Sequence, residues 1–92
     1  MKDYHGVYAT IVPLPVDHER LYLAYGIRLL SCVSVPRKDG SAGPYALTLA
    51  APANFDLSTL YIIDALNDYY RTLSQDVHVT HCVSVGHWFE EV

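Results

Sequence analysis

The chain has few positive charges, few cysteines and no long apolar run, and these shortages exclude several classes of protein. Six Lys and Arg residues stand against ten Asp and Glu residues, which gives a formal net charge of −4. General nucleic-acid binding rests on several contacts from Lys or Arg to phosphates, and six scattered cations do not supply that as the main mode. No apolar stretch approaches the roughly 18 residues of a membrane span. The sequence therefore predicts neither a general nucleic-acid binder nor a membrane protein.

Only two cysteines occur, Cys32 and Cys82. A small disulfide scaffold usually carries four or more, and the segment 1–6 contains an acid and a histidine where a secretory leader needs an apolar core. We therefore expect free thiols and a cytoplasmic location, in the host cell if a phage encodes the chain. A single bridge between the two cysteines stays open as the alternative.

The composition that remains is that of a small globular protein. Of the 92 residues, 51% are hydrophobic and 17% are charged, which is too apolar for a disordered chain. A chain of this length buries roughly 60–65% of its unfolded surface. We expect one α+β domain over residues 1–92.

The first half of the chain shows side chains alternating between two faces, as in a strand, and after them residues typical of helix caps. Alternating residues predict a strand over 4–12. Asp17 is a typical N-cap, and Gly26 stands where a glycine ends a helix, so we expect a helix over 18–25 and a strand over 27–35. Alternation over 20–35 also permits a single long strand.

The second half predicts a turn over 36–44, a strand over 45–50, a helix over 57–73 and a strand over 77–85. Asp56 and Phe55 are the expected N-cap and hydrophobic staple of that helix. The resulting order is that of a ferredoxin-like βαββαβ sandwich, a four-stranded antiparallel sheet with both helices on one face. The alternative, if 20–35 is one strand, is a β-meander crossed by one helix.

Residues capable of chemistry do not form a recognisable catalytic or metal-binding pattern in the sequence. His78 and Cys82 share a strand face but lie about 13 Å apart in an extended strand. Asp64 and Asp68 lie one helical turn apart, an arrangement more typical of a solvated face with Arg71 as counter-charge. We predict no enzymatic activity, no cofactor and no metal site.

Eight tyrosines are the strongest compositional signal, because tyrosine is favoured at protein interfaces. In the sandwich, the side of the sheet away from the helices is expected to be neutral and rich in hydroxyl groups. Its expected members are Tyr4, Tyr8, Thr10, Arg28, Leu30, Cys32, Ser34, Ala46, Thr48, His78, Thr80, Cys82 and Ser84. That surface suits a protein partner or a second copy of the chain.

These features favour a non-enzymatic interaction protein that binds, and inhibits, a protein or ribonucleoprotein complex. The general profile is similar to that of the anti-CRISPR proteins as a class, phage inhibitors of host defence that are short, often acidic and single-domain; no motif carries the likeness. The expected contact residues are Asp64, Asp68, Tyr69, Arg37, Lys38, Tyr8 and Arg28. The basic pair 37–38 is expected to contact a nucleic-acid backbone held by the partner.

The alternative function is a dimeric ferredoxin-like enzyme or small-molecule binder. Its site is expected in a pocket between the sheet and the helices. His5, His81 and Tyr25 are the polar groups expected to line that pocket.

Overall fold

A computed structural model of the chain describes residues 2–52 and 59–91. The elements are β1 (Lys2–Val12), α1 (His18–Tyr25), β2 (Arg28–Ser34), β3 (Tyr45–Pro52), α2 (Thr59–Thr72) and β4 (Val83–Glu91). The four strands form one antiparallel sheet in the order β2-β3-β1-β4. The α+β class is confirmed, and both the element order and the strand order fit the predicted ferredoxin-like arrangement.

The caps read from the sequence define α1. The Asp17 side chain accepts a hydrogen bond from the backbone N–H of Glu19, which satisfies one of the free amides of the first turn. Gly26 adopts a left-handed conformation with φ 70°, and its N–H donates to the carbonyl of Tyr22. The long-strand alternative over 20–35, and the β-meander that depends on it, are therefore wrong.

Both helices pack on the same side of the sheet. Leu21 of α1 and Leu66 of α2 belong to one buried cluster that also contains Leu47 and Leu49 of β3. Tyr70 is fully buried in this cluster, and its hydroxyl donates to the carbonyl of Leu14. The core is thus a single layer between the sheet and the two helices, and no helix of the described ranges packs on the other side of the sheet.

The last strand begins later than predicted. Residues 77–82 form no strand ladder, and β4 runs from Val83 to Glu91 instead of over 77–85. The alternation did identify burial, because Val77 and Val79 are 7% and 5% exposed. The side chain of Asn67 replaces the missing ladder: its amide donates to the carbonyl of Val79 and accepts from the N–H of the same residue.

The predicted N-cap and hydrophobic staple of α2, Asp56 and Phe55, lie outside the described residues. Cys32 and Cys82 are free, as predicted. Neither helix within the described ranges is long and apolar enough to cross a bilayer.

Candidate binding surfaces

The strand register determines which residues face away from the helices. Residues paired across neighbouring strands share a face. Tyr8 pairs with Leu49, and both are buried under the helices. The alternate residues Val7, Ala9 and Ile11 therefore face the other side, opposite the alternate residues of β3.

Bulges on both edge strands enlarge that side. The register of β2 against β3 shifts between Leu29 and Ser31, and that of β1 against β4 shifts between Val7 and Tyr8. A bulge places two residues opposite one. The extra residues are Leu30 on β2 and Val85 on β4, and both are large, apolar and exposed.

We call this surface the open face. Its members are Val7, Ala9, Ile11, Leu30, Ser31, Val33, Ala46, Thr48, Ala50, Val83 and Val85. All eleven are uncharged. The exposed fractions of Ile11, Val83 and Val33 are 65%, 58% and 56%, so large aliphatic side chains from three different strands stand in water.

The open face differs from the predicted one. Tyr8 is 5% exposed and Thr10 is 7% exposed, so both lie on the helix side. At the centre of β1 the physical reason is volume, since the large Tyr8 fills the space under the helices and the smaller Ala9 faces the other side. Tyr8 is therefore not available as a surface contact.

Several residues of the two edge strands also lie on the opposite side of the sheet from the one predicted. Cys32 and Ser34 pair with Leu47 and Tyr45 and so lie on the helix side, because the bulge reverses the parity of β2. Ser84 lies there too, since it pairs with Tyr8. His78 and Thr80 precede β4 and belong to no strand.

Arg28 lies at the margin of the open face. It pairs with Ala50 at the end of β2. Its guanidinium lies 5.0 Å from the centre of the Tyr22 ring, a cation–π contact with α1. The position is close to the one predicted, but the contact ties Arg28 to the chain's own helix.

A shallow groove of about 540 Å³ runs along the open face between β1, β3 and the start of β4. Ile11, Thr48, Val83, His81 and Cys82 are among its lining residues. Thr10 donates a hydrogen bond to the carbonyl of His81, which holds the segment before β4 against β1. Burial raises the pKa of the Cys82 thiol to about 11, so this thiol is largely protonated and weakly reactive at neutral pH.

The pocket expected between the sheet and the helices does not assemble from the predicted groups. His81 lies at the groove on the open face, whereas Tyr25 lies between the helices, where its hydroxyl is bonded to Asp68. The side chain of His5 lies outside the described ones.

Asp68 is engaged within the chain. It accepts hydrogen bonds from the Tyr25 hydroxyl, at 2.5 Å, and from the Arg71 guanidinium. The Tyr25 bond, and then the Arg71 bond, lower the pKa of Asp68. Burial, and then the Asp68 bond and charge, raise the pKa of Tyr25 to about 12. Asp68 thus joins α2 to the end of α1.

Tyr25→Phe is expected to reduce the loss of stability at alkaline pH. Folded Tyr25 keeps its proton to about pH 12, whereas the unfolded group loses it near 10. Its contribution is complete below pH 10 and disappears as the pH rises towards 12. Urea unfolding on both sides of pH 10 measures this loss, which should be smaller in Tyr25→Phe than in the wild type.

Tyr22→Phe, which changes an exposed tyrosine of the same helix, is the control and should behave as the wild type. Tyr70 is present in every variant, and burial also raises its pKa. Equal alkaline losses in the wild type and Tyr25→Phe would contradict the raised pKa of Tyr25.

Of the four other predicted contact residues, three are exposed and one is buried. Asp64, Arg37 and Lys38 are exposed. Tyr69 is 4% exposed, and its hydroxyl accepts a hydrogen bond from the N–H of Asp17. Tyr69 therefore packs in the core and does not stand beside Asp64 on a surface stripe.

Within the described side chains, no three His, Cys, Asp or Glu residues converge in a way that could hold a metal ion. Comparisons with protein-family models, with curated proteins and with solved structures found no match for this chain.

Proposed function

We propose that this chain is a non-enzymatic interaction protein that works by burying its open face against another protein chain. In this role it binds and inhibits a larger macromolecular complex. The observation that supports this proposal is the open face, on which four large aliphatic side chains lie more than half exposed: Ile11, Val33, Val83 and Val85.

Burying this surface is favourable, because exposed aliphatic side chains cost free energy in water. Burial of a Val, Leu or Ile side chain contributes roughly 1.5–3 kcal/mol. Ile11, Leu30, Val33, Val83 and Val85 are the exposed large aliphatic residues of the open face. Together they offer enough to offset a substantial part of the estimated 4–15 kcal/mol of freedom lost on association. Contiguous exposed apolar patches mark interaction sites in soluble proteins.

The exposed charged groups have a secondary role in this proposal. Asp64 on α2 and the pair Arg37–Lys38 in the 36–44 turn stay free to meet a larger complex. Such groups mainly raise the association rate and the specificity, and their effect weakens as salt rises. An inhibitor of host defence of the anti-CRISPR type is the finer form of the proposal, supported by small size and acidity.

The test is capture of partners by the tagged chain in its native cells, with quantification of every captured protein, including untagged copies of the chain. Ile11→Asp places a charge at the most exposed aliphatic position of the open face and is expected to reduce capture at least tenfold, which corresponds to about 1.4 kcal/mol. Leu23→Asp is the matched control, because Leu23 is an aliphatic residue of α1 that is 75% exposed. Its capture should equal that of the wild type.

Two results would contradict the proposal. One is undiminished capture by Ile11→Asp. The other is an equal loss in both variants, since that would show a general effect of added negative charge.

A further inference from the structure

We propose that the open face binds a second copy of this chain, so that two sheets pack face to face in a symmetric dimer with the helices outside. This inference rests on the proposed function, because it takes the open face as the contact surface and names its partner. The dimer is then the unit that meets the larger complex.

The distribution of charge favours a second copy over a charged partner. In a symmetric dimer each patch meets itself, so any charge near the centre would meet a like charge. The eleven members of the open face are uncharged; Arg28 lies at its margin beside Ala50, and Asp3 and Glu90 pair with each other at the far end of the β1–β4 ladder. The exposed acids Asp17, Glu19 and Asp64 lie at α1 or on α2, on the other side of the sheet. Two chains with a net charge of −4 each can therefore approach through this side with least repulsion.

The area of the face is sufficient. Four strands at a spacing of about 4.8 Å, and the eight residues of β3 at about 3.4 Å each, give a flat area of roughly 500 Å² per copy. Two copies thus bury about 1,000 Å² before the relief of the side chains is counted, which reaches the lower bound for a specific interface. Sheets packed in this way lie about 10 Å apart, the usual thickness of a sandwich core.

The shape of the face also suits a second sheet. Two small side chains, Ala9 and Ala46, line the groove together with the larger Ile11 and Val83. Aliphatic side chains of one copy can enter the groove of the other, as ridges from two sheets interdigitate in β-sandwiches. The bulge residues Leu30 and Val85 stand on the two edge strands, where they close the rim against water.

Sedimentation equilibrium of the purified chain over a wide concentration range tests the dimer. The wild type is expected to approach twice the 10.3 kDa of one chain. Ile11→Asp and Val83→Asp change exposed residues on two different strands and should each weaken association at least tenfold. Leu23→Asp should dimerise as the wild type does.

Circular dichroism of Ile11→Asp must show the α+β content of the wild type for its loss of association to support the proposal; if it has unfolded, Val83→Asp decides the question. A chain that is monomeric at every concentration would overturn the dimer, as would a dimer that neither Asp variant weakens. In the first case the proposed function still stands if capture from cells depends on Ile11. Capture that is independent of Ile11 would instead overturn the proposed function.

Discussion

Leu66→Ala is expected to lower the free energy of unfolding by about 2–5 kcal/mol. Leu66 is fully buried on α2, in the cluster that joins both helices to β1 and β3. Its truncation removes buried apolar surface and leaves a cavity that the rigid sheet cannot close. Urea unfolding followed by circular dichroism measures the loss.

Leu60→Ala is the matched control for that change. Leu60 lies on the same helix but is 63% exposed, so its truncation should change stability by under about 0.5 kcal/mol. The two variants alter the same residue type by the same number of atoms. Equal losses would show that the rotation of α2 about its axis is wrong.

Asn67→Ala is expected to cost about 1–3 kcal/mol for each backbone group of Val79 that it leaves unsatisfied. The Asn67 amide holds both the carbonyl and the N–H of Val79, at 3.0 and 2.7 Å. Within the described part of the chain no strand pairs with residues 77–82, so water is the replacement partner. We expect this segment to open and the buried side chains of Val77 and Val79 to become exposed.

Hydrogen exchange at the amide of Val79 reports this opening directly. The amide should be protected in the wild type and unprotected in Asn67→Ala. Asn67→Asp keeps an acceptor for the N–H but loses the donor to the carbonyl, so intermediate protection is expected. Protection that survives in Asn67→Ala would contradict the role given to this side chain.

Much of the fold is determined by local features of the sequence. Asp17 and Gly26 define the ends of α1 because each satisfies a specific backbone group at a helix terminus. The alternation over residues 4–12 and 45–50 fixes β1 and β3, and proline and glycine mark the turn between β2 and β3. These are signals of short range, and the order of elements that they define restricts the topology.

The identity of the open face could not be predicted in the same way. Either parity of β1 is largely apolar, so the choice between Tyr8 and Ala9 depends on the volume that the helices leave to fill. The bulges at Leu30 and Val85 add one residue each and reverse the alternation along the rest of their strands. An alternating pattern carries no mark of a bulge, which depends on the partner strand.

For the candidate contact residues on α2, the sequence likewise predicted the helix but not all of the contacts that its side chains make. The helix is confirmed, but Tyr69 packs inward beside Ala65 and Leu66, since three neighbouring positions of one helix face meet the sheet. Helical spacing places Asn67 on the polar stripe of α2, whereas the structure shows it holding the segment 77–82. A contact between residues 12 positions apart, made to an irregular segment, leaves no periodic pattern in the sequence.

Thiol protection in the assembled state shows directly whether the open face is the contact surface. Ile11→Cys and Leu23→Cys, each in a chain with Cys32→Ser and Cys82→Ser, place one thiol on the open face or on α1. Both thiols should react rapidly with a maleimide in dilute protein, because both positions are exposed. In the concentrated protein or the captured complex, we expect the thiol at position 11 to be protected and the thiol at position 23 still to react. Equal reactivity of the two thiols in the assembled state would contradict the claim that the open face is the contact surface.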